Sequence, residues 1–208
     1  MRRKYPRTPH LPWSPGVAQD DTRLGQAGQF AGQEVVVTEK LDGENTTLDR
    51  QGLHARSLDP RPHPSRAWVG GLHGRVGYLI PEGWRVCGEN LYARHSLAYT
   101  DLEGYFYLFS VWDETGTALA WDDTLTWART LGVPTPRELY RGPWDEALVR
   151  ALPVDPQTTE GYVVRTVAGF AHEAFADHVA KYVRAGHVQT DGHWMHRPAV
   201  PNGLRRPS

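Results

Sequence analysis

The chain contains few residues of several kinds, and each shortage excludes a class of protein. Only one of its 208 residues is Cys, which excludes an internal disulfide and a zinc site built from several Cys. No hydrophobic run approaches the roughly 18 residues of a membrane-spanning helix. The basic N-terminus, MRRKYPRTPHLPWSPG, is followed by no apolar stretch, so it does not predict a secretory signal. We therefore expect a soluble, cytoplasmic protein with no membrane partner.

Lysine is also scarce. Of the 23 basic residues only three are Lys, namely Lys4, Lys40 and Lys181, so Arg supplies almost all of the positive charge. Arg stays protonated in proteins, whereas Lys can lose its proton and attack an electrophile. This usage favours a requirement for an amine at Lys40, which lies within VVVTEKLDGENTTLDRQGLHARS at residues 35–57.

The same stretch carries a strong turn signal. β-Branched residues flank Asp42-Gly43, and Gly43 would supply the positive φ of a two-residue hairpin turn. A second turn at Gln51-Gly52 predicts another strand, so residues 34–56 are expected to form three strands. Lys40 would then stand at a strand end on a rigid support. The pattern leaves open whether Asp42 serves only the turn.

Most of the chain mixes strands and helices without regular alternation. Residues 1–30 are expected to be an irregular, basic and Pro-rich lead-in. Helices are predicted at 63–79, 122–131 and 144–152, strands at 84–91, 105–112 and 160–167, mixed structure at 175–184, and loop from 191. This order predicts an α+β fold with largely antiparallel sheets. The expected organisation is one domain over residues 1–190 and a tail over 191–208.

Six short segments resemble those of one enzyme superfamily. TEKLDGEN (38–45) resembles the Lys-x-Asp-Gly signature of the covalent nucleotidyltransferases, which include polynucleotide ligases and mRNA capping enzymes. Five companions follow in the order that the superfamily requires: HARS with Arg56, CGENLYARHS with Glu89, YFYLFSVWD with Phe109, TTEGYVVR with Glu160, and VAKYVR with Lys181. The GEN-LYARHS segment and the short chain look most like the RNA ligase 2-type family, especially its small bacterial members.

The resemblance implies a fold and an activity. The fold would be a nucleotidyltransferase (ATP-grasp-like) domain, with two antiparallel sheets, flanking helices and the nucleotide between the sheets. The activity would be ATP-dependent sealing of 5′-phosphate and 3′-hydroxyl RNA ends through a lysyl-AMP intermediate, with Mg²⁺ or Mn²⁺. A monomer is expected. No separate OB or C-terminal RNA-binding domain is expected, so the tail or a partner protein would supply further RNA contacts.

Site residues near the phosphates carry over as expectations from the resemblance. Lys40 would attack the α-phosphorus of ATP, its pKa lowered by partial burial beside a metal and other cations. Glu160 would bind the metal, with Asn45 positioning phosphate and metal directly or through water. Lys181 would neutralise the α-phosphate. Arg184 replaces a second lysine that the family usually has two residues after the first, but it stands one residue late.

The remaining expected contacts concern the nucleoside. Glu39 would lie beside the base, Phe109 would stack on it, and Glu89 would accept a hydrogen bond from a ribose hydroxyl. Arg56 would contact the nucleotide and the incoming phosphate. Ordinary structural roles stay open for these residues, since Phe109 suits a core strand, Glu89 and Glu160 suit strand ends, and Arg56 suits a surface.

Other readings of the sequence are weaker. GGLHGRVG lacks the Gly-Lys-Ser/Thr ending of a P-loop, HEAFADH lacks metalloprotease spacing, and ARHSL lacks the glycines of a serine-hydrolase elbow. His193 and His196 could ligate a metal but have no third ligand nearby, so RNA contact or packing is favoured. A DNA-strand or GTP-using nucleotidyltransferase, and an inactive protein that binds nucleic-acid ends, remain as alternatives.

Overall fold

The computed structural model describes residues 3–17, 21–58, 63–186 and 199–206. Within them the strands are β1 (Glu34–Lys40), β2 (Glu44–Asp49), β3 (Gly52–Ala55), β4 (Arg85–Asn90), β5 (Phe106–Trp112), β6 (Thr117–Ala118), β7 (Glu138–Pro143), β8 (Gly161–Thr166), β9 (Phe170–Ala171) and β10 (Val179–Val183). The helices are α1 (Ala67–Val76), α2 (Trp121–Leu131), α3 (Glu146–Arg150) and α4 (Phe175–His178).

Two antiparallel sheets organise these elements. Sheet 1 has four strands in the order β10-β8-β1-β7, and sheet 2 has six in the order β3-β2-β4-β5-β6-β9. Every pairing between these strands is antiparallel. The α+β class predicted from the sequence is therefore confirmed. No helix within the described ranges is long and apolar enough to cross a membrane.

The chain passes from one sheet to the other at Asp42-Gly43, so the hairpin predicted there is wrong. β1 pairs with β7 and β8, whereas β2 pairs with β3 and β4. Gly43 does not have a positive φ. A Cβ at this position would instead lie 2.5 Å from the carbonyl oxygen of Asn90, so glycine permits a close approach to β4. The second predicted turn is confirmed, with Asp49 opposite Gly52 in a β2–β3 hairpin.

Two short stretches of the lead-in extend sheet 1, although the sequence indicates an irregular segment. Leu11 N–H donates to the carbonyl of Lys181 (2.8 Å), and Lys181 N–H donates to the carbonyl of Pro9 (2.9 Å). On the other side of this stretch, His10 N–H donates to the carbonyl of Thr22 (2.7 Å). Residues 9–11 therefore lie parallel to β10 and carry residues 22–24 beside them.

Strand β7 was also not predicted. It lies at the edge of sheet 1, pairs with β1 from Glu34 opposite Pro143 onwards, and is only partly buried. Its Gly142-Pro143 ending indicates a turn when the sequence is considered locally, and Pro is tolerated in a sheet mainly at edges and strand ends.

Three of the four hydrophobic clusters among the described residues hold the sheets and helices together. One packs α1 and α2 against sheet 2 and includes Leu48, Leu72, Val86, Leu108 and Leu131. A second packs the lead-in and α3 against sheet 1 and includes Leu11, Phe30, Val37, Val149 and Val164. The third contains residues of both sheets and of α4: Cys87, Trp112, Phe170, Phe175 and Val179.

The C-terminal residues 199–206 pack against the loop after β4. Asn202 is almost fully buried; its amide accepts from Tyr99 N–H (2.9 Å) and donates to the carbonyl of Leu91 (2.8 Å). His193 and His196, for which metal or RNA contact was considered, lie outside the described residues.

Candidate active site

A cavity of about 830 Å³ is lined by both sheets and by residues 4–8 of the lead-in. Most of the predicted site residues line it: Glu39, Lys40, Asn45, Arg56, Glu89, Phe109, Glu160 and Lys181. The fold thus brings together side chains separated by more than a hundred positions in the sequence. Arg184 is the one predicted site residue that does not line the cavity.

Lys40 and Glu160 form a direct ion pair in this cavity. Lys40 is the last residue of β1 and lies opposite Gly161, the first residue of β8, so Glu160 is its neighbour across the sheet. The Lys40 Nζ lies 2.7 Å from Glu160 Oε2, and the Glu160 side chain is only 4% exposed. Glycine is needed at position 161 because a Cβ there would collide with the carbonyl of Tyr182 in β10.

The side chains around Lys40 raise its pKa, and the lowered value expected beside a bound metal and other cations stays a prediction. Burial by itself lowers the pKa of the Lys40 amine. The negative charges of Glu160, Glu89 and Asp42, together with the Glu160 hydrogen bond, outweigh burial and give a net increase. Lys40 is therefore held as an ammonium until the charge around it changes.

Glu89 stands on β4 opposite Asn45 of β2. Its Oε1 accepts a hydrogen bond from Gly43 N–H at 3.2 Å. Burial, assisted by Glu160 and Asp42, raises the pKa of Glu89 to about 8, while Lys40 and the Gly43 N–H oppose this increase. The Glu89 carboxyl therefore takes up a proton more readily than an ordinary glutamate, and in its protonated form it can both donate and accept a hydrogen bond.

Asp42 has a structural role that the sequence did not reveal. Its Oδ2 accepts hydrogen bonds from Ser96 N–H (2.8 Å), Ser96 Oγ–H (2.7 Å) and Leu97 N–H (2.8 Å). Its own N–H donates to the Tyr99 hydroxyl at 2.9 Å. Asp42 therefore anchors the loop that follows β4, in place of the hairpin-turn role considered for it.

One part of the cavity wall is aromatic, around Phe109, and is called here the aromatic end. This half-buried ring on β5 packs edge-on against Tyr5 of the lead-in, with ring centroids 5.3 Å apart. Tyr5 also meets Phe175 edge-on at 5.3 Å and Trp112 at 6.3 Å. Tyr5 was not identified as a site residue, because nothing in the local pattern KYPRTP shows which strand it will contact.

The second cavity lysine lies on β10. The Lys181 Nζ is 3.5 Å from Asp21 Oδ1, and the Lys181 side chain is 14% exposed. Arg184 follows the end of β10; its guanidinium donates to the carbonyl of Ala185 at 3.4 Å. Val183 stands where the family usually has its second lysine, two residues after Lys181. Among the described residues, the segment around β10 therefore contributes only the Lys181 cation to the cavity.

Two further predicted residues occupy the cavity margin. Arg56 is half-buried, and its N–H donates to the carbonyl of Asn45 at 3.1 Å. Glu39 Oε2 lies 3.3 Å from Nε of Arg137, which is largely exposed.

Oxygen donors for a metal are present but few. No group of three or more His, Cys, Asp or Glu side chains in the described part of the chain could hold a metal ion. The Asn45 Oδ1 is buried and has no hydrogen-bond partner, and Glu160 presents a carboxylate to the same cavity. This donor set suits Mg²⁺ or Mn²⁺, because such ions use one or two protein oxygens and complete their shell with water and substrate phosphates.

Solved structures of RNA ligases share this fold. An archaeal ATP-dependent RNA ligase matches with a TM-score of 0.60 at 17% identity, over 88% of this chain and 48% of that chain. Naegleria gruberi RNA ligase with PPi matches with a TM-score of 0.57 at 17% identity, over 87% and 57%. A mutant of the Naegleria enzyme with AMP and Mn gives 0.56 at 18% identity, over 77% and 52%. The chain spans about half the length of the solved structures it matches. Comparison with curated protein sequences finds no match.

The two sheets with a cavity between them have the fold of a ligase nucleotidyltransferase domain. The model of the RNA ligase family matches residues 33–183, from the start of β1 to the end of β10, and the chain belongs to this family. The predicted resemblance to the nucleotidyltransferase ligases is thereby confirmed.

Proposed function

We propose that this protein is an ATP-dependent RNA ligase that carries AMP on Lys40 and seals 5′-phosphate and 3′-hydroxyl RNA ends. The observation that carries the proposal is the 2.7 Å pairing of Lys40 Nζ with Glu160 in a cavity that also contains Glu89 and Lys181. The family membership and the likeness to ligases solved with AMP and Mn support ATP and a divalent metal as its requirements.

In the first step the Lys40 amine attacks the α-phosphorus of ATP. An N–P bond forms, the bond to pyrophosphate breaks, and a phosphoramidate remains on Lys40. The ammonium must first lose a proton, and Glu160 Oε2 lies at hydrogen-bonding distance to receive it. Glu160 and Asn45 would hold Mg²⁺ or Mn²⁺, which would supply positive charge beside the phosphates. Lys181 stabilises the negative charge that builds on the α-phosphate.

The other cavity residues bind the nucleoside. Phe109 stacks on the purine with Glu39 near the base, and Glu89 hydrogen-bonds a ribose hydroxyl. Because its pKa is about 8, Glu89 can fill this role as a neutral carboxyl while Gly43 N–H bonds its other side. Arg56 contacts the phosphates, to which its planar guanidinium is well suited.

RNA enters the two later steps. AMP passes from Lys40 to the 5′-phosphate, breaking the N–P bond, and the 3′-hydroxyl then attacks that phosphate and releases AMP. Lys4 and Arg7 of the lead-in line the cavity along with Arg56, and such positive charge favours binding of the RNA backbone. A cytoplasmic location agrees with the free, buried thiol of Cys87.

Covalent labelling tests the proposal. Protein incubated with α-labelled ATP and Mn²⁺ should acquire acid-labile label, and Lys40→Ala should abolish it. Lys40→Arg is the matched variant, because Arg keeps the positive charge but cannot act as the nucleophile; it should also remain unlabelled. Label on wild-type protein that survives in both variants would refute Lys40 as the nucleophile, and no label from any nucleotide would refute the enzyme.

Competition between substrates then defines the class of ligase. We expect ATP to label the protein in preference to GTP, and nicked or single-stranded RNA ends to be sealed in preference to nicked DNA. Label from GTP alone would instead identify a capping-type enzyme. Label without sealing of any end would show that this chain performs only the first step.

A further inference from the structure

Asp21, in the lead-in, makes a contact with the second cavity lysine that the proposed mechanism has not used. One carboxylate oxygen, Oδ1, lies 3.5 Å from Lys181 Nζ, and the other, Oδ2, lies 2.9 Å from His10 Nε2. The side chains of Asp21 and Lys181 are 11% and 14% exposed. Because both side chains are mostly buried, salt screens the attraction between the Asp21 carboxylate and the Lys181 ammonium only weakly.

Asp21 is itself held by a buried hydrogen-bond chain. His10 is fully buried, and its Nδ1 lies 2.8 Å from Ser14 Oγ. Ser14 Oγ accepts from Val183 N–H at 2.9 Å and can donate to the Val183 carbonyl at 3.4 Å or to the nearer His10 Nδ1 at 2.8 Å, which is the shorter contact for its proton. That leaves the His10 Nε2–H to donate to Asp21. With a neutral His10 imidazole, every polar group in this series of hydrogen bonds from Val183 to Asp21 therefore has a partner.

The backbone places this series of hydrogen bonds directly beside Lys181. Pro9 and Leu11 hydrogen-bond the N–H and the carbonyl of Lys181, so His10 lies level with the lysine on the adjacent stretch. Both ends of the chain of hydrogen bonds thus attach to β10, at Val183 through backbone and at Lys181 through its ammonium.

We propose that Asp21 is a positioning residue that aims the Lys181 ammonium into the cavity, with His10 and Ser14 fixing Asp21. The inference rests on the proposed function, in which Lys181 stabilises charge on the α-phosphate. A lysine side chain has a flexible four-carbon stem, and a fixed carboxylate beside its ammonium removes that freedom before the reaction. Asp21, His10 and Ser14 lie outside the range 33–183 that the family model matches.

The test measures the rate of Lys40 labelling at saturating ATP and the ATP concentration for half-saturation. Asp21→Asn keeps the shape of the side chain but removes its charge. It should slow labelling about tenfold, with half-saturation shifted by less than about threefold, because Lys181 acts mainly in the transition state. Asp122→Asn is the matched control, since it neutralises an exposed aspartate whose partner is Arg141 and should leave both values unchanged.

A double-mutant cycle separates positioning from a general loss of structure. If Asp21 acts through Lys181, Asp21→Asn should have no further effect on labelling in a Lys181→Ala background. Rates are compared at a temperature below the unfolding midpoints of all variants, so that lost stability does not imitate lost catalysis. An equal further slowing in the Lys181→Ala background would overturn the inference, as would wild-type rates for Asp21→Asn alone. Absence of label on wild-type protein would instead contradict the proposed function.

Discussion

In one part of the cavity wall, the charged end, Lys40, Glu160 and Glu89 form a network of ionisable groups, while in another part, the aromatic end, Phe109 packs against Tyr5. The charged end is built where strands of both sheets terminate, and the aromatic end combines a strand with the lead-in. Charges act most strongly on a transition state in which charge moves, whereas rings contribute to binding throughout. Substitutions at the charged end should therefore change the rate of labelling, and those at the aromatic end should change nucleotide affinity.

Glu160→Gln should give the largest change. It removes the carboxylate that receives the Lys40 proton and offers oxygen to a metal, so labelling at saturating ATP should fall about a hundredfold or more. The Lys40 pKa should fall as well, because the negative charge of Glu160 beside the ammonium is lost. Labelling within a few-fold of wild type would place Glu160 outside the chemistry.

Asp42→Asn should reduce stability more than rate, although Asp42 lies at the charged end. The variant weakens three charge-assisted hydrogen bonds that Oδ2 accepts from Ser96 and Leu97. We expect the free energy of unfolding to fall by about 2 kcal/mol in denaturant titration. Asp122→Asn, which affects only an exposed pair, should leave the free energy of unfolding nearly unchanged. A slow but fully stable Asp42→Asn would assign this residue to the chemistry instead.

Phe109→Ala should raise the half-saturating ATP concentration about tenfold, since stacking on a base contributes about 1–3 kcal/mol. The rate at saturation should stay within about threefold of wild type. Phe109→Leu keeps apolar area without an aromatic face, so its half-saturating ATP concentration should lie between those of wild type and Phe109→Ala. The comparison between the two ends fails if Phe109→Ala slows the saturated rate and leaves half-saturation unchanged.

The effect of Glu89 should be seen in the pH dependence of stability. Its carboxyl has an ordinary value of 4.5 and a folded-state pKa of about 8, so the folded protein holds an extra proton between these limits. Stability from this group is complete below pH 4.5 and is lost as the pH rises to about 8. Relative to Glu89→Gln, wild type should lose stability over that window, by at most about 5 kcal/mol, in thermal or denaturant unfolding. Parallel pH profiles for the two proteins would show that the Glu89 pKa is not raised.

Much of the charged end could be predicted from the sequence, because its residues follow in a fixed order and each sits at or near the end of a strand. Helix α2 and its closing Gly132 were likewise encoded locally, and Gly132 takes the left-handed conformation of a helix C-terminus with φ 64°. The passage of the chain from one sheet to the other at Asp42-Gly43 could not be predicted locally. A turn signal does not specify which distant strands will pair with the strands on either side of it. The raised pKa of Lys40 also depends on Glu89 and Asp42, which only the folded chain brings near it.

The aromatic end was predicted less completely, for the same reason. Phe109 was identified from its segment, but Tyr5 lies in a Pro-rich stretch whose position depends on pairing with β10. His10 and Asp21 gave no signal of their own, because a buried imidazole and a carboxylate eleven positions apart have no recognisable spacing.

The contribution of residues 4–8 to the cavity wall has a practical consequence for producing the protein. An affinity tag fused ahead of these residues would place foreign chain next to the cavity. It would also pull on the stretch whose backbone is bonded to Lys181. Enzyme assays should therefore use protein whose N-terminal tag has been cleaved, and a sample that gains activity on cleavage would report how closely this segment is coupled to the site.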